Sequence, residues 1–291
     1  MRNWKTAFCA ILCMAWLLGT VALPAQGEGG PSMIGYSVEP VLPDNQVSGS
    51  KANFNLMVTE GDSQSLYVTI SNKADEEIQV AAQVGTAVTN ENGVIIYVPN
   101  ADASHAVSMS DILTPGEQVI TVPARGSALA EFFLTVPEAP FEGSVFGGIT
   151  FTKLNQDQTS GEGGAMQIRN VYRYVISVRL RHAVSDISPE FKLLGAKADF
   201  ARRSPGVALR LSNPRPVIVR GAAMRVSIQP KDGGEAVLTA DKTFDIAPNS
   251  GMNYFVHVKD TKALPAGEYV ASVIIEHKEL MWALETPLII E

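Results

Sequence analysis

The sequence predicts an all-β protein made of two consecutive antiparallel sandwiches. Apolar residues recur with period two in one short segment after another, and helical periodicity is almost absent. The two halves of the chain also carry the same motifs in the same order. A third observation sets where the fold begins, because the first 27 residues have the make-up of a secretory signal peptide.

In that leader, Arg2 and Lys5 form a positive start, "AFCAILCMAWLLGTVAL" is the apolar stretch, and Ala22, Ala25 and Gly27 offer small residues for cleavage. Cys9 and Cys13, the two cysteines of the chain, both lie in it without the small residues that lipid attachment needs. The exported chain is therefore expected to lack thiol, disulfide and lipid anchor. It must rest on its cores, and its length suits two ordinary sandwich domains.

The folded part opens on "YSVEPVLPDNQ", Tyr36 to Gln46. Pro40 and Pro43 cannot donate to a strand ladder, so this run is expected at a sheet edge or crossing between sheets. Asn45 and Gln46 at its end could offer amide groups to a sugar or a peptide, or cap neighbouring backbone. In "SLYVTIS" Leu66, Val68 and Ile70 share one face, and in "IQVAAQV" Ile78, Val80, Ala82 and Val84 do. "NENGV", Asn90 to Val94, places Asn-Gly where a tight hairpin would need positive φ. In "ALAEFFLTV" Ala128, Ala130, Phe132, Leu134 and Val136 alternate. Residues 155–166, "NQDQTSGEGGAM", are of low complexity and read as a loop.

After the loop, "VYRYVISVRLR" places Tyr172, Tyr174, Ile176, Val178 and Leu180 on one face and Arg173, Ser177, Arg179 and Arg181 on the other. This long half-buried strand can close the first domain by pairing with "GSVFGGITF". The domain boundary is accordingly expected near residue 184, giving domains of 28–183 and 184–291, with seven candidate strands after Pro189. In "PVIVRGAAMRVSI" the apolar positions switch parity, which a bulge at Gly221 would reconcile.

The internal repeat supports this division. "VTISN" ending at Asn72 matches "LRLSN" ending at Asn213, "VPARGSALAEFFLTV" matches "IAPNSGMNYFVHV", and Gly143 in "FEGSV" matches Gly267 in "PAGEY". One design, immunoglobulin-like in its strand spacing and turns, is used twice.

Charge is unevenly placed. Residues 28–168 carry 4 basic and 17 acidic side chains, residues 169–225 carry 12 and 3, and residues 226–291 carry 5 and 10. The central basic band holds Arg173, Arg179 and Arg181, followed by Arg202, Arg203, Arg210, Arg215, Arg220 and Arg225. Guanidinium groups grip carboxylate or phosphate bidentately, so an anionic surface polymer or partner would suit the band. Balancing of the two acidic blocks within the fold would equally account for it. An exported acidic chain without interleaved exposed aromatics does not point to nucleic acid.

Nothing points to catalysis. No nucleophile elbow, phosphate-cradling glycine loop or calcium loop is present. His105, His182, His257 and His277 lack partners at metal-ligand spacing, and the pair His277 and Glu279 is one ligand short of a zinc site. No cofactor or metal is expected, and no stretch after residue 27 reaches the roughly 20 apolar residues of a membrane span.

These residues resemble a known family. "YSVEPVLPDNQ", "LYVTISN", "NENGVIIY" and "FEGSVFGGITF" are similar to the N-terminal domain of the WxL-interacting proteins of Gram-positive bacteria. "RNVYRYVISVRL", "IAPNSGMNYFV", "LPAGEYVASV" and "MWALE" are similar to their C-terminal domain. The resemblance implies a peptidoglycan-binding first domain and a host-binding second domain, working beside WxL-domain surface proteins and without enzymatic activity. The family usually ends in a membrane helix and a short basic tail. Neither is in this sequence, so the chain is either cut short or held at the wall by its ligands.

The resulting expectation is a non-catalytic adaptor, exported to the cell wall or outer surface. Its expected partners are peptidoglycan, a WxL-domain surface protein and a host extracellular protein. Asn45, Gln46, Arg173, Arg179 and Arg181 are the candidate contact residues. The alternative is an assembly chaperone acting by β-strand augmentation, suggested by the long strand from Val171 to Arg181. A wall hydrolase is the third reading.

Overall fold

A computed structural model describes residues 35–47, 49–99, 101, 107–154, 172–182, 187–201, 204–258 and 264–291. The leader expected at 1–27, the loop expected at 155–166, the boundary expected near 184, His105, Arg202 and Arg203 lie outside the described residues. Residues 34–291 form one compact unit.

The first half contains β1 (Tyr36–Val41), β2 (Phe54–Met57), β3 (Ser63–Asn72), β4 (Ile78–Thr89), β5 (Ile95–Val98), a single helical turn α1 (Met109–Ile112), β6 (Leu113–Thr114), β7 (Glu117–Val122), β8 (Ser127–Thr135), β9 (Ser144–Lys153) and β10 (Arg173–Arg181). The second contains β11 (Lys192–Ala201), β12 (Ser204–Asn213), β13 (Val219–Pro230), β14 (Leu238–Ile246), β15 (Ser250–His257), β16 (Gly267–His277) and β17 (Leu280–Ile290). The protein is thus all-β, with two consecutive immunoglobulin-like sandwiches.

In the first sandwich a sheet of order β1-β3-β8-β6 faces one of order β2-β10-β9-β4-β5, with β7 also on β4. Leu66, Val68 and Ile70 of β3 and Phe132 and Leu134 of β8 meet Ile149, Phe151, Ile176 and Val178 of the facing sheet in one buried cluster. Those are the alternating positions of the strands, so period two becomes a filled interior. In the second sandwich β11-β12-β15 faces β14-β13-β16-β17. There the Phe191 ring meets Trp282 edge-on at 4.9 Å and Phe244 at 5.8 Å.

The opening run is both an edge and a crossing. β1 pairs antiparallel with β3 and has no second strand partner among the described residues, which suits Pro40 opposite Val68. The chain then turns, and Gln46 bridges to Leu56 of the other sheet. Tyr36 ties the sheets together: its hydroxyl donates to the Phe151 carbonyl at 3.1 Å, while the Tyr174 hydroxyl donates to the Tyr36 carbonyl at 2.9 Å. The two rings lie edge to face at 5.0 Å. Burial, and to a lesser extent Tyr174, push the Tyr36 phenol up to about 12.

The repeated motifs fold into repeated structure. Asn72 and Asn213 are both buried. The Asn72 Nδ2 donates to the carbonyls of Glu76 at 2.7 Å and Pro123 at 3.1 Å, and its Oδ1 accepts from Ala74 N. The Asn213 Nδ2 donates to the carbonyls of Val217 at 2.9 Å and Ala247 at 3.1 Å, and its Oδ1 accepts from Arg215 N. Each amide pins the bend after its strand to the end of a neighbouring strand. Beside them Arg125 and Asn249 both adopt positive φ, at 51° and 48°.

The bulge expected at Gly221 is present, and the Asn-Gly turn is wider than expected. The β13–β14 register shifts between Val219 and Ala222, around Gly221 at φ 67°. Gly93 in "NENGV" has the expected positive φ, 68°, but it lies in a five-residue loop and not a tight turn, because the Asn90 Oδ1 accepts from Asn92 N and Val94 N and holds the wider loop. Not every pairing is antiparallel, however. β2 runs parallel to β10, Phe54 to Met57 opposite Val178 to Arg181.

Candidate binding surface

β10 is the centre of the candidate surface, and its surroundings differ from a free strand. β9 pairs with all of it antiparallel, from Arg173 opposite Thr152 to Arg181 opposite Ser144. β2 covers its other edge from Val178 onward, and the Ser177 N donates to the Asn53 Oδ1. Only the Arg173 end of this edge lacks a strand among the described residues.

Asn45 and Gln46 use their amides within the chain. The Asn45 Nδ2 donates to the Met57 carbonyl at 3.0 Å, and its Oδ1 accepts from Gln64 Nε2 at 3.3 Å. The Gln46 Nε2 donates to the carbonyls of Ser50 and Asn53, and its Oε1 accepts from Asn55 N. Both residues therefore shape the 45–57 turn, and they stand at the opposite edge of β10 from Ser144.

Of the arginines, Arg173 is exposed at the start of β10, while Arg179 and Arg181 are half-buried at its end. The Arg179 Nε and Nη2 both donate to the Ser144 Oγ, at 3.1 and 3.0 Å. Burial, followed by the charges of Arg181 and Arg220, lowers the Arg179 guanidinium to about 10. The Arg181 Nε is buried without an acceptor among the described residues. Arg220 of β13 reaches over from the second sandwich, its Cζ 5.9 Å from the Phe146 ring centroid and its Nη1 3.3 Å from the Asp245 Oδ2. The sequence placed Arg220 in the basic band without showing that it meets β10. Ser144 and Phe146 stood in the "FEGSVFGGITF" motif with no polar role assigned.

This cluster lies where the sandwiches touch. The Thr89 N donates to the Ser250 Oγ and the Ala247 N to the Thr89 Oγ1, both at 3.0 Å and both buried. The Ser144 N donates to the Pro216 carbonyl and the Asp245 N to the Gly93 carbonyl, each at 2.8 Å. Ala87 and Phe146 pack with Ala247, flanked by Tyr97 and Ile218. Alongside runs an open groove of about 520 Å³, its walls including Val107, Ile112, Phe141 and Pro216, with Asp111 and Glu142 at its rim.

Gly147 and Gly148 serve packing here. A Cβ on Gly147 would stand 2.4 Å from Met109 Cγ, and one on Gly148 2.9 Å from the Tyr97 ring. Among the histidines, His182 pairs with Glu60 at 3.1 Å and His257 stacks edge-on against Phe255. No group of three or more metal-ligating side chains occurs among the described residues. No helix among them is long and apolar enough to cross a membrane.

Comparison with known proteins agrees with this two-part build. Residues 36–153 match the model of the WxL Interacting Protein peptidoglycan binding domain, and residues 164–291 that of the WxL Interacting Protein host binding domain. The second match starts ahead of β10, which the sheet joins to the first sandwich. No curated protein matches the chain. Among solved structures, a chaperone–tip adhesin complex of CFA/I fimbriae biogenesis aligns at 14% identity and TM-score 0.35, covering 85% of this chain and 97% of the other. The CsuC-CsuE chaperone–tip subunit complex of Acinetobacter baumannii aligns at 12% identity and TM-score 0.38, covering 81% and 95%. Likeness at these scores carries no functional information. The two family matches take in nearly all of the chain from Tyr36 to Glu291, and the chain belongs to the WxL-interacting protein family.

Proposed function

We propose that the protein is a non-catalytic adaptor of the Gram-positive cell wall, its first sandwich holding peptidoglycan and its second holding a WxL-domain surface protein or a host ligand. The observation that carries this reading is the pair of binding-domain matches on a single compact unit. Direct backbone hydrogen bonds between the sandwiches let one ligand be held at a fixed position relative to another. We place the structural boundary near 184, between β10 and β11, and the leader at 1–27.

Contact with the wall is assigned to Asn45, Gln46, Arg173, Arg179 and Arg181. Arg173 offers an exposed guanidinium, whereas Asn45 and Gln46 act through the turn they hold. Binding in this scheme draws on polar surface and the junction groove, with no bond broken in the ligand.

The test is sedimentation of residues 28–291 with purified sacculi, with soluble muropeptides measured in the same tubes. The chain should pellet and release none. Retention in the supernatant, or release of muropeptides, would contradict the reading.

A further inference from the structure

We infer that Arg179, Arg181 and Arg220 together form a site for a carboxylate at the junction of the two sandwiches, and that the carboxylate belongs to the peptide part of peptidoglycan. The source of the carboxylate rests on the wall-binding reading above.

The site is built from both sandwiches. Arg179 and Arg181 stand two residues apart on β10, facing away from the core that Val178 and Leu180 enter. Opposite them on β9 are Phe146 and Ser144. Arg220 comes from β13 and lies over the same Phe146 ring. Arg179 and Arg220 thus meet at Ser144 and Phe146, and Arg181, paired across the strands with Ser144, adds its charge close to Arg179.

Like charges at such a place repel, and a fold normally offsets them with carboxylates. Here the compensation is incomplete. Asp245 answers Arg220 and is itself held by the Gly221 N at 2.8 Å. Arg179 and Arg181 have no carboxylate within ion-pair distance among the described residues. Arg179 gives two donors to a neutral hydroxyl, and Arg181 keeps a buried donor with no acceptor among the described residues. An unmet buried donor beside two further cations is the arrangement a bound oxyanion would complete. The lowered Arg179 guanidinium fits the same description, since an anion would stabilise its charged form.

A carboxylate suits the fork geometry of guanidinium, and the anions of peptidoglycan itself are peptide carboxylates. Phosphate in a wall belongs to polymers attached to it. Because the three arginines come from both sandwiches, an occupied site would also clamp the junction.

The experiment compares three preparations of sacculi: intact, stripped of phosphate polymers, and stripped with the peptide carboxyls converted to amides. Residues 28–291 should pellet equally with the first two and about tenfold more weakly with the third, the loss of one charged hydrogen-bonded contact. The R181Q/R220Q double variant leaves Arg179 on Ser144. It should bind stripped sacculi about tenfold more weakly and lose nothing more when the carboxyls are amidated. R220Q alone, at an exposed side chain, should fall between.

Equal binding by the wild type and the double variant, or an equal further loss by both on amidation, would overturn this site and leave the wall-binding reading standing. Binding that needs the phosphate polymers would overturn the carboxylate assignment. A wild-type chain that ignores all three preparations would overturn the wall-binding reading and this site's ligand with it.

Discussion

Asn72 and Asn213 occupy the same position in the two sandwiches, and each closes the same bend with the same three kinds of hydrogen bond. The match reaches the neighbouring turn. The Arg125 N donates to the Ala74 carbonyl and the Asn249 N to the Arg215 carbonyl, each from a residue at positive φ. Both amides are engaged by the chain's own backbone.

Removing either amide should be costly, because the side chain leaves backbone groups unpaired in a buried place. Asn72→Ala and Asn213→Ala should each lower stability by about 3 kcal/mol, measured by urea unfolding. A loss below about 0.5 kcal/mol in either would show that the bend holds without its amide.

The junction should act as one cooperative element. Thr89 and Ser250 exchange buried hydrogen bonds with the opposite sandwich. The double variant T89A/S250A should separate the calorimetric transitions of the two sandwiches, at about 1 kcal/mol per lost bond. An unchanged single transition would contradict that role.

Two glycines of the first sandwich predict different penalties. A Cβ on Gly85 would stand 2.8 Å from the Val98 backbone N, while one on Gly148 meets the Tyr97 ring at 2.9 Å. Backbone cannot step aside as a ring can. Gly85→Ala should therefore cost more than Gly148→Ala, both within about 1–3 kcal/mol, and the reverse order in thermal unfolding would contradict the packing described.

Alkaline stability should depend on Tyr36. Its phenol is raised to about 12 in the folded chain, so between about pH 10 and that value the unfolded chain gives up a proton that the folded chain keeps. Stability from this residue is complete below about pH 10 and falls as pH rises toward 12. Tyr97 and Tyr254 shift in the same direction through burial and add to the fall. Urea unfolding across this range should show a shallower decline for Tyr36→Phe, and an identical slope would contradict the assignment.

The strands were legible because each buries one face, so side-chain polarity recorded its period. The Asn72 and Asn213 motifs were legible for a related reason, as a bend needing an amide keeps the same residues around it. What escaped was pairing between distant segments. The four-residue β2 runs parallel to β10 and covers half of the edge that had suggested strand augmentation, and no local pattern encodes a partner more than a hundred residues away. The candidate site was half legible for the same reason. Arg179 and Arg181 share a strand face in the sequence, but Arg220 joins them only through the docking of one sandwich on the other. For Asn45 and Gln46 the sequence left ligand binding and backbone capping open, because the backbone they cap becomes visible only once the 45–57 turn is closed.

The adaptor account is tested most directly by asking whether the chain recruits a second protein to the wall. A purified WxL-domain surface protein, mixed with sacculi stripped of their own proteins, should pellet in proportion to added chain 28–291 and stay in solution without it. Equal pelleting with and without the chain, or none in either case, would contradict the bridging role.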